Sequence, residues 1–399
     1  MESQQPPISP REPSAGPNRR LHLVFVGIFI LALAGAVLWW MGFGSYVVQR
    51  AQYSSRTATF SGDSASLTQT VIVPTLDTPC PPGKNVIWCS SLQLAWNELR
   101  DNVIKAPLNV IGAEETAARL NTAKQLVSDL DAKSVYARGG WVEKGIREQI
   151  RKDMAAKFPS YVLPDFNGYT EGILAYSYLT ARAPFKRPFR QMDDGLAFTD
   201  SQGVQTQVAG FGLWETYRRA YKKTCEQVSI LYLRSDNERD TYYEQPTEYA
   251  LDLCRHSKPY QVVVARVDPR GSLAETFEHI HAQMVEFKKL PGYEELRRLR
   301  GGDELEVPDI FWRIDHRFTE LIGRAVANVG MPIVEALQTI EFRFDRFGVA
   351  LESKAVLAAK ASPRYFEFNR PFLIYMQKRD TERPFFVMWV DNAELLTRR

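Results

Sequence analysis

Twenty-one consecutive residues without a charge, Leu23 to Phe43 (LVFVGIFILALAGAVLWWMGF), constrain this chain more than any other feature. At about 1.5 Å per residue, a helix of that length spans the roughly 30 Å hydrocarbon core of a bilayer. Trp39 and Trp40 then fall where an interfacial aromatic belt lies. A buried core helix would need folded neighbours, whereas both flanks here are polar. Residues 1–20 are rich in Pro and Ser and too poor in apolar side chains to offset their ordering entropy. The chain is therefore expected to begin with a disordered cytoplasmic tail (1–20), followed by a transmembrane signal anchor (21–45). Arg11, Arg19 and Arg20 before the span, against Arg50 and Arg56 after it, place the N-terminus in the cytoplasm. No A-x-A site follows, so the anchor is expected to stay uncleaved. The expectation is a single-pass protein that touches the lipid bilayer through Leu23–Phe43, its C-terminal domain periplasmic or extracellular.

Export would put the four cysteines in an oxidising compartment. Three connectivities are open to Cys80, Cys89, Cys225 and Cys254, and the two sequence-local pairs, Cys80 with Cys89 and Cys225 with Cys254, are the expected disulfides. No C-x-x-C occurs, which argues against a zinc ribbon or a thioredoxin-type site. Fifty basic residues balance 47 acidic ones, and a net charge of +3 leaves nothing to suggest a nucleic-acid partner.

Residues 46–79 read as a Ser/Thr-rich tether with a short strand at Val71–Val73, and 80–399 as one folded domain. Within it, Asn85–Trp88 suggests a strand, and Ser90 or Ser91 caps a helix whose apolar face is Leu92, Ala95, Trp96 and Leu99. Residues 113–158 read as mostly helical. Strand signals follow at Ile173–Leu179, Gln227–Leu233, Gln261–Val267, Glu341–Leu351, Phe372–Met376 and Phe385–Val390, the last two flanking a polar turn. Helices are expected at 272–289 and near 315–329. The class is α+β, with helices early and sheet late.

Catalytic chemistry is hard to find. His279 and His281, one residue apart on a helix, point to different faces and do not suggest joint metal ligation. Asp315-His316 and Cys254-Arg-His256 lack a nucleophile at a strained turn. G-x-S-x-G, H-E-x-x-H, G-x-G-x-x-G and Walker patterns are absent, as are Asn-x-Ser/Thr acceptors. Asp193-Asp194 and Gly301-Gly302-Asp303 read as turns, and Lys288–Arg300 as a solvated basic helix. No cofactor, no metal and no enzymatic activity are expected.

Several segments, in order along the chain, resemble the serpins. Asn85–Leu99 (NVIWCSSLQLAWNEL) is similar to that family's buried strand and second helix. Ile173–Phe189 looks like its central-sheet strand, Phe198–Gly203 like its F-x-x-x-x-G turn, and Val307-Pro308 with Phe318–Ile322 and Val329-Gly330 like its P-x-F … L-x-x-L-G helix. The closest resemblance is Phe368-Asn369-Arg370-Pro371-Phe372, which is similar to the C-terminal signature. It implies a large mixed β-sheet with surrounding helices, preceded here by one transmembrane helix. Departures are Cys89-Ser90 in place of Ser-Pro, Trp96 where a smaller residue is usual, and no first long helix between 49 and 80.

The resemblance also implies a reactive loop. Its hinge falls at Glu352, Ser353, Lys354 and Ala355, without Gly or Thr, and Lys360 and Arg364 are the candidate bait residues for a trypsin-like protease. Sixteen residues separate Glu352 from Asn369. An inserting strand needs roughly 12 residues at about 3.3 Å each, besides a bait bond and a return segment. The expected function is therefore binding or scaffolding by a non-inhibitory serpin-like protein, with a protein partner or protease as ligand. Inhibition through Lys360 or Arg364 is one alternative, and a membrane-tethered enzyme of unrecognised type is another.

Overall fold

The computed structural model describes residues 57–182, 185–214, 218–235, 245–347 and 363–399. The expected tail and the anchor Leu23–Phe43 lie outside them. Among the described residues no helix is long and apolar enough to cross a membrane.

The described chain opens with β1 (Phe60–Asp63), β2 (Thr70–Val73), β3 (Asn85–Cys89) and helix α1 (Ser91–Glu98). Helix α2 (Glu114–Thr122), β4 (Val135–Trp141), α3 (Ile146–Lys157) and β5 (Ile173–Arg182) follow. Then come β6 (Arg190–Gln191), β7 (Leu196–Thr199), β8 (Gln205–Val208), β9 (Gly210–Leu213) and α4 (Arg218–Cys225). The next stretch holds β10 (Ser229–Arg234), β11 (Glu248–Asp252), β12 (Tyr260–Arg266), α5 (Leu273–Lys288) and α6 (Tyr293–Leu296). Strands β13 (Glu304–Pro308), β14 (Ile310–Arg317), β15 (Ala325–Val326), β16 (Met331–Phe344), β17 (Tyr365–Glu367), β18 (Phe372–Lys378) and β19 (Pro384–Val390) complete it.

One sheet has the order β1-β14-β16-β5-β4, with β15 on β16, and its centre is the parallel pair β16–β5. A seven-stranded sheet runs β10-β11-β12-β18-β19-β3-β2, and a four-stranded one β17-β13-β9-β6. The first sheet is covered on both faces, so β5 is buried at seven successive positions instead of alternating. Ile173, Ala175 and Leu179 join the large core with α1, while Leu174, Tyr176 and Tyr178 face a second core holding Ile150 and Met154 of α3. Phe342 of β16 stacks on Phe386 of β19 at 4.4 Å, and Trp312 of β14 lies 6.1 Å from the same ring. These rings bind the two large sheets together.

Several expectations need correction. Residues 135–141 form a strand within the stretch 113–158 that was expected to be mostly helical. The reason is Gly139-Gly140: a Cβ at Gly139 would meet Leu99 Cγ at 2.4 Å, so only glycine lets β4 lie against α1. No helix forms over 315–329. Ile310, Trp312 and Ile314 are buried in alternation with Phe311, Arg313 and Asp315, which is strand periodicity, and the chain then turns through Gly323 and Gly330 at φ 80° and 71°. About the last two thirds of the expected tether is folded, since Ala58–Arg399 is one compact unit in which β1 pairs with β14 and β2 with β3.

The expected disulfides are not formed, and all four cysteines are free. Each local pair is divided between different surroundings. Cys89 Sγ lies 3.2 Å from Ser91 Oγ, while the Cys80 N–H bonds Gly271 O at 2.9 Å. Cys254 Sγ accepts from the Val262 N–H at 3.2 Å, and Cys225 is beside the Tyr221 hydroxyl. Burial pushes the Cys80 and Cys89 thiols up to about 11 and Cys225 to about 12.

At the edge of the first sheet, Ser64 Oγ and His316 Nδ1 are 2.7 Å apart, and Arg317 meets Asp63 at 3.1 Å. Burial drives the His316 imidazole from 6.5 to about 4, only partly opposed by the Asp63 charge. The native protein thus leaves this ring neutral at a pH where the unfolded chain protonates it. Stability should fall as pH drops from 6.5 towards 4, and His316→Gln should flatten that slope. Urea titrations at the two pH values check this; an unchanged slope in the variant would refute it.

Candidate functional site

The segment joining β16 to β17 crosses from the first sheet to the four-stranded one, and it contains the expected loop. Strand β16 ends at Phe344, eight positions before Glu352, so the connection comprises the twenty residues 345–364. The expected hinge at Glu352, Ser353, Lys354 and Ala355, and the bait candidate Lys360, lie outside the described residues. Twenty residues are enough to cross the sheet and still present a bait bond. The shortage inferred from sixteen residues does not stand, because the strand was placed too late.

The departure is tethered. Asp345 Oδ2 takes the Arg343 Nε–H at 2.5 Å, and its other oxygen accepts the Phe347 N–H at 2.9 Å. The Phe189 N–H donates to Arg346 O at 2.9 Å. Phe347 is only 4% exposed, with the Arg346 guanidinium 4.4 Å from its ring centroid. Sequence reading missed these residues because the strand was extended to Leu351 on its aromatic and β-branched content, through Asp345-Arg346 where the alternation breaks. Only the local Asp345 turn ends it.

The return is anchored more firmly. Arg364, a bait candidate from the sequence, is 3% exposed and bonded to Asp303, which is fully buried. Its Nη2 reaches Asp303 Oδ2 at 2.5 Å and its Nε reaches Oδ1 at 3.2 Å, while Nη2 also donates to Arg298 O. Asp303 further accepts the N–H groups of Arg364 and Arg300 at 3.0 and 2.7 Å. A bait residue must enter a protease's pocket, so Arg364 is excluded by its burial. Gly301-Gly302 do form the expected turn, Gly302 at φ 100°, but the turn's purpose is to bury Asp303 under Arg364. A single sequence carries no signal for a pair 61 positions apart.

The signature residues continue this anchor. Phe368 and Phe372 are fully buried with ring centroids 5.4 Å apart, and Tyr249 packs on Phe368 at the same distance. Asn369 Nδ2 donates to Glu367 Oε2, and Asn369 O accepts from the Thr199 N–H at 2.8 Å. Arg370 and Pro371 turn the chain into β18, at the rim of a surface cleft. The signature therefore secures the end of the connection.

Between the two ends runs the seam of β5 and β16, paired at ten positions from Ile333↔Ile173 to Arg343↔Arg182. Arg182 ties it across to Glu341 at 2.9 Å. Below it, Gln338 Nε2 donates to Ser91 Oγ and Cys89 O at 2.9 and 3.1 Å. Further along, the fully buried Glu335 accepts from Arg317 and from the Asn167 N–H. The expected histidines are not brought together: His281 stacks on Phe277 at 4.3 Å, while His279 faces Glu248 at 3.7 Å.

Removing one member of the Arg364–Asp303 pair leaves a buried charge alone. Arg364→Ala or Asp303→Asn should each lower stability by about 3–5 kcal/mol in urea unfolding. A loss below about 1 kcal/mol for both would show that the anchor is not needed.

No protein-family model and no curated protein matches the chain. Solved structures do. Maspin is similar at TM-score 0.50 and 9% identity, over 77% of this chain and 92% of that one. Native protease nexin-1 with heparin gives TM-score 0.46 and 10% identity over 77% and 92%. Manduca sexta serpin-12, a serine protease inhibitor, gives 0.41 and 14% over 63% and 66%. Identities this low speak to the fold alone. With the mixed central sheet, the crossing connection and the C-terminal hairpin all in place, the chain has a divergent serpin-like fold.

Proposed function

We propose that this chain is a membrane-anchored, extracytoplasmic serpin-like protein that binds or scaffolds a protein partner, and is neither a strand-inserting protease trap nor an enzyme. The tethered departure of the connection carries this reading. To enter the sheet, the connection must peel Phe347 from its buried site, release Arg346 O from Phe189 and break the Asp345 turn. It must then part a ten-position seam and seat a bulky ring and two charges beside β16. Close-packed sheets accept small uncharged residues far more readily at such a point.

One observation favours inhibition as the second reading. The connection of 345–364 is about twice as long as the seam, and with Arg364 buried Lys360 is the remaining bait. Incubating the full-length chain with trypsin separates the two. The expected result is a simple cut within 348–362, with no SDS-resistant complex and no large rise in melting temperature. A stable covalent complex, or a strongly raised melting temperature after nicking, would establish the second reading instead.

The anchor rests on the uncharged run Leu23–Phe43. Alkaline carbonate extraction of membranes should leave the full-length chain in the pellet and release a version lacking 21–45. Full-length chain in the supernatant would refute anchoring.

A further inference from the structure

A cleft of about 480 Å³ opens at one end of the seven-stranded sheet. Its walls come from three separate parts of the chain. Lys186 lies on the segment leading from β5 to β6, Lys223 on α4, and Arg255 and Lys258 on the turn from β11 to β12. None of these four cations has a carboxylate within 4.0 Å among the described residues, and Glu226 is the one acidic side chain lining the cleft. The whole chain is only +3, so this is a local concentration of charge, not a general excess.

The frame beneath the cations is rigid. Gln227 clamps the backbone of Arg187 from both sides, accepting from its N–H at 3.1 Å and donating to its carbonyl at 3.0 Å. The Arg255 N–H bonds Gln227 O at 2.7 Å. Arg379 closes the floor, paired with Asp252 at 2.8 Å and donating to Ser257 O at 2.6 Å, so its own charge is already answered. Positive neighbours add to burial at two groups of the cleft. Burial and the neighbouring Arg297 and Arg298 hold the Arg255 guanidinium below its usual range, and burial with Arg255 and Lys186 does the same to His256.

Four converging, unpaired cations on a fixed frame call for a ligand with more than one negative charge. A single carboxylate would leave most of the field uncompensated, whereas a phosphate group brings about two charges and three strong acceptor oxygens. We propose that this cleft binds a phosphate-bearing anion through Lys186, Lys223, Arg255 and Lys258, either free in solution or as the headgroup of a lipid.

The test uses the full-length chain in phosphatidylcholine nanodiscs, titrated with pyrophosphate by calorimetry. Pyrophosphate should bind, and both the double variant Lys223→Gln/Arg255→Gln and the single variant Lys186→Glu should weaken it by about tenfold or more. Lys152→Gln on α3 should bind as the wild type does. Thermal melts confirm that the variants are folded, and the two independent variants guard against one of them failing. Replacing part of the phosphatidylcholine with phosphatidic acid identifies the source. If this weakens pyrophosphate binding in the wild type, and oleate discs of equal charge do not, the lipid headgroup occupies the cleft. If it has no effect, free phosphate compounds do. Absence of pyrophosphate binding, or equal affinity in folded variants of both kinds, overturns the proposal.

Discussion

The parallel pairing of β5 with β16 is the constraint on which the molecule is built. Both strands are central, and the sheet they form is buried on each face, by α1 and the second sheet on one side and by α3 on the other. A strand in that position cannot alternate polar with apolar residues, which is why Ile173–Leu179 is buried throughout. Most buried polar groups along the seam are then met from within, although Ser177 Oγ and Gln338 Oε1 have no partner among the described residues. Gln338 finds Ser91 and the Cys89 carbonyl, and Glu335 finds Arg317. Parallel partners cannot be joined by a tight hairpin, so the chain between and after them must travel. The connection from Phe344 to Tyr365 leaves this sheet altogether and ends on a different one.

The two ends of that connection are held by different physics. At the departure, a short turn around Asp345 and one buried ring do the holding, all of it local. At the return, a desolvated ion pair joins residues 61 positions apart, and its carboxylate also collects two backbone N–H groups. Buried pairs of this kind contribute little net stability over an apolar substitute, but they resist the loss of either member. They also require one geometry. The Arg364–Asp303 pair thus specifies where β17 begins, and the aromatic signature after it completes the specification.

Much of the fold was legible from local pattern. The apolar, aromatic-rich runs of β18 and β19 around a polar turn, the apolar face of α1 and the helix over 272–289 follow from side-chain composition and spacing, and Phe368–Phe372 from the resemblance. What could not be read was decided by neighbours distant in sequence. Residues 135–141 have no strong strand character and become β4 because Gly139 can approach Leu99. Residues 315–317, read as the start of a helix, instead end β14, which β1 and β16 pair on either side. The end of β16 was misplaced by seven residues because Phe347, Val349 and Leu351 keep the strand's apolar composition past the point where the sheet ends.

The amino-acid sequence alone settled the features that depend on a residue and its near neighbours: the uncharged run at Leu23–Phe43, the α+β class, and the signature at Phe368–Phe372. Tertiary structure alone decided which charges are on display and which are spent. Arg364 looked like bait and is buried, whereas Lys186, Lys223, Arg255 and Lys258 were scattered through the chain and stand together with no carboxylate partner among the described residues. The reason is that the free energy of a charge depends on its solvent and its partners. Both are set by strands that meet from far along the chain.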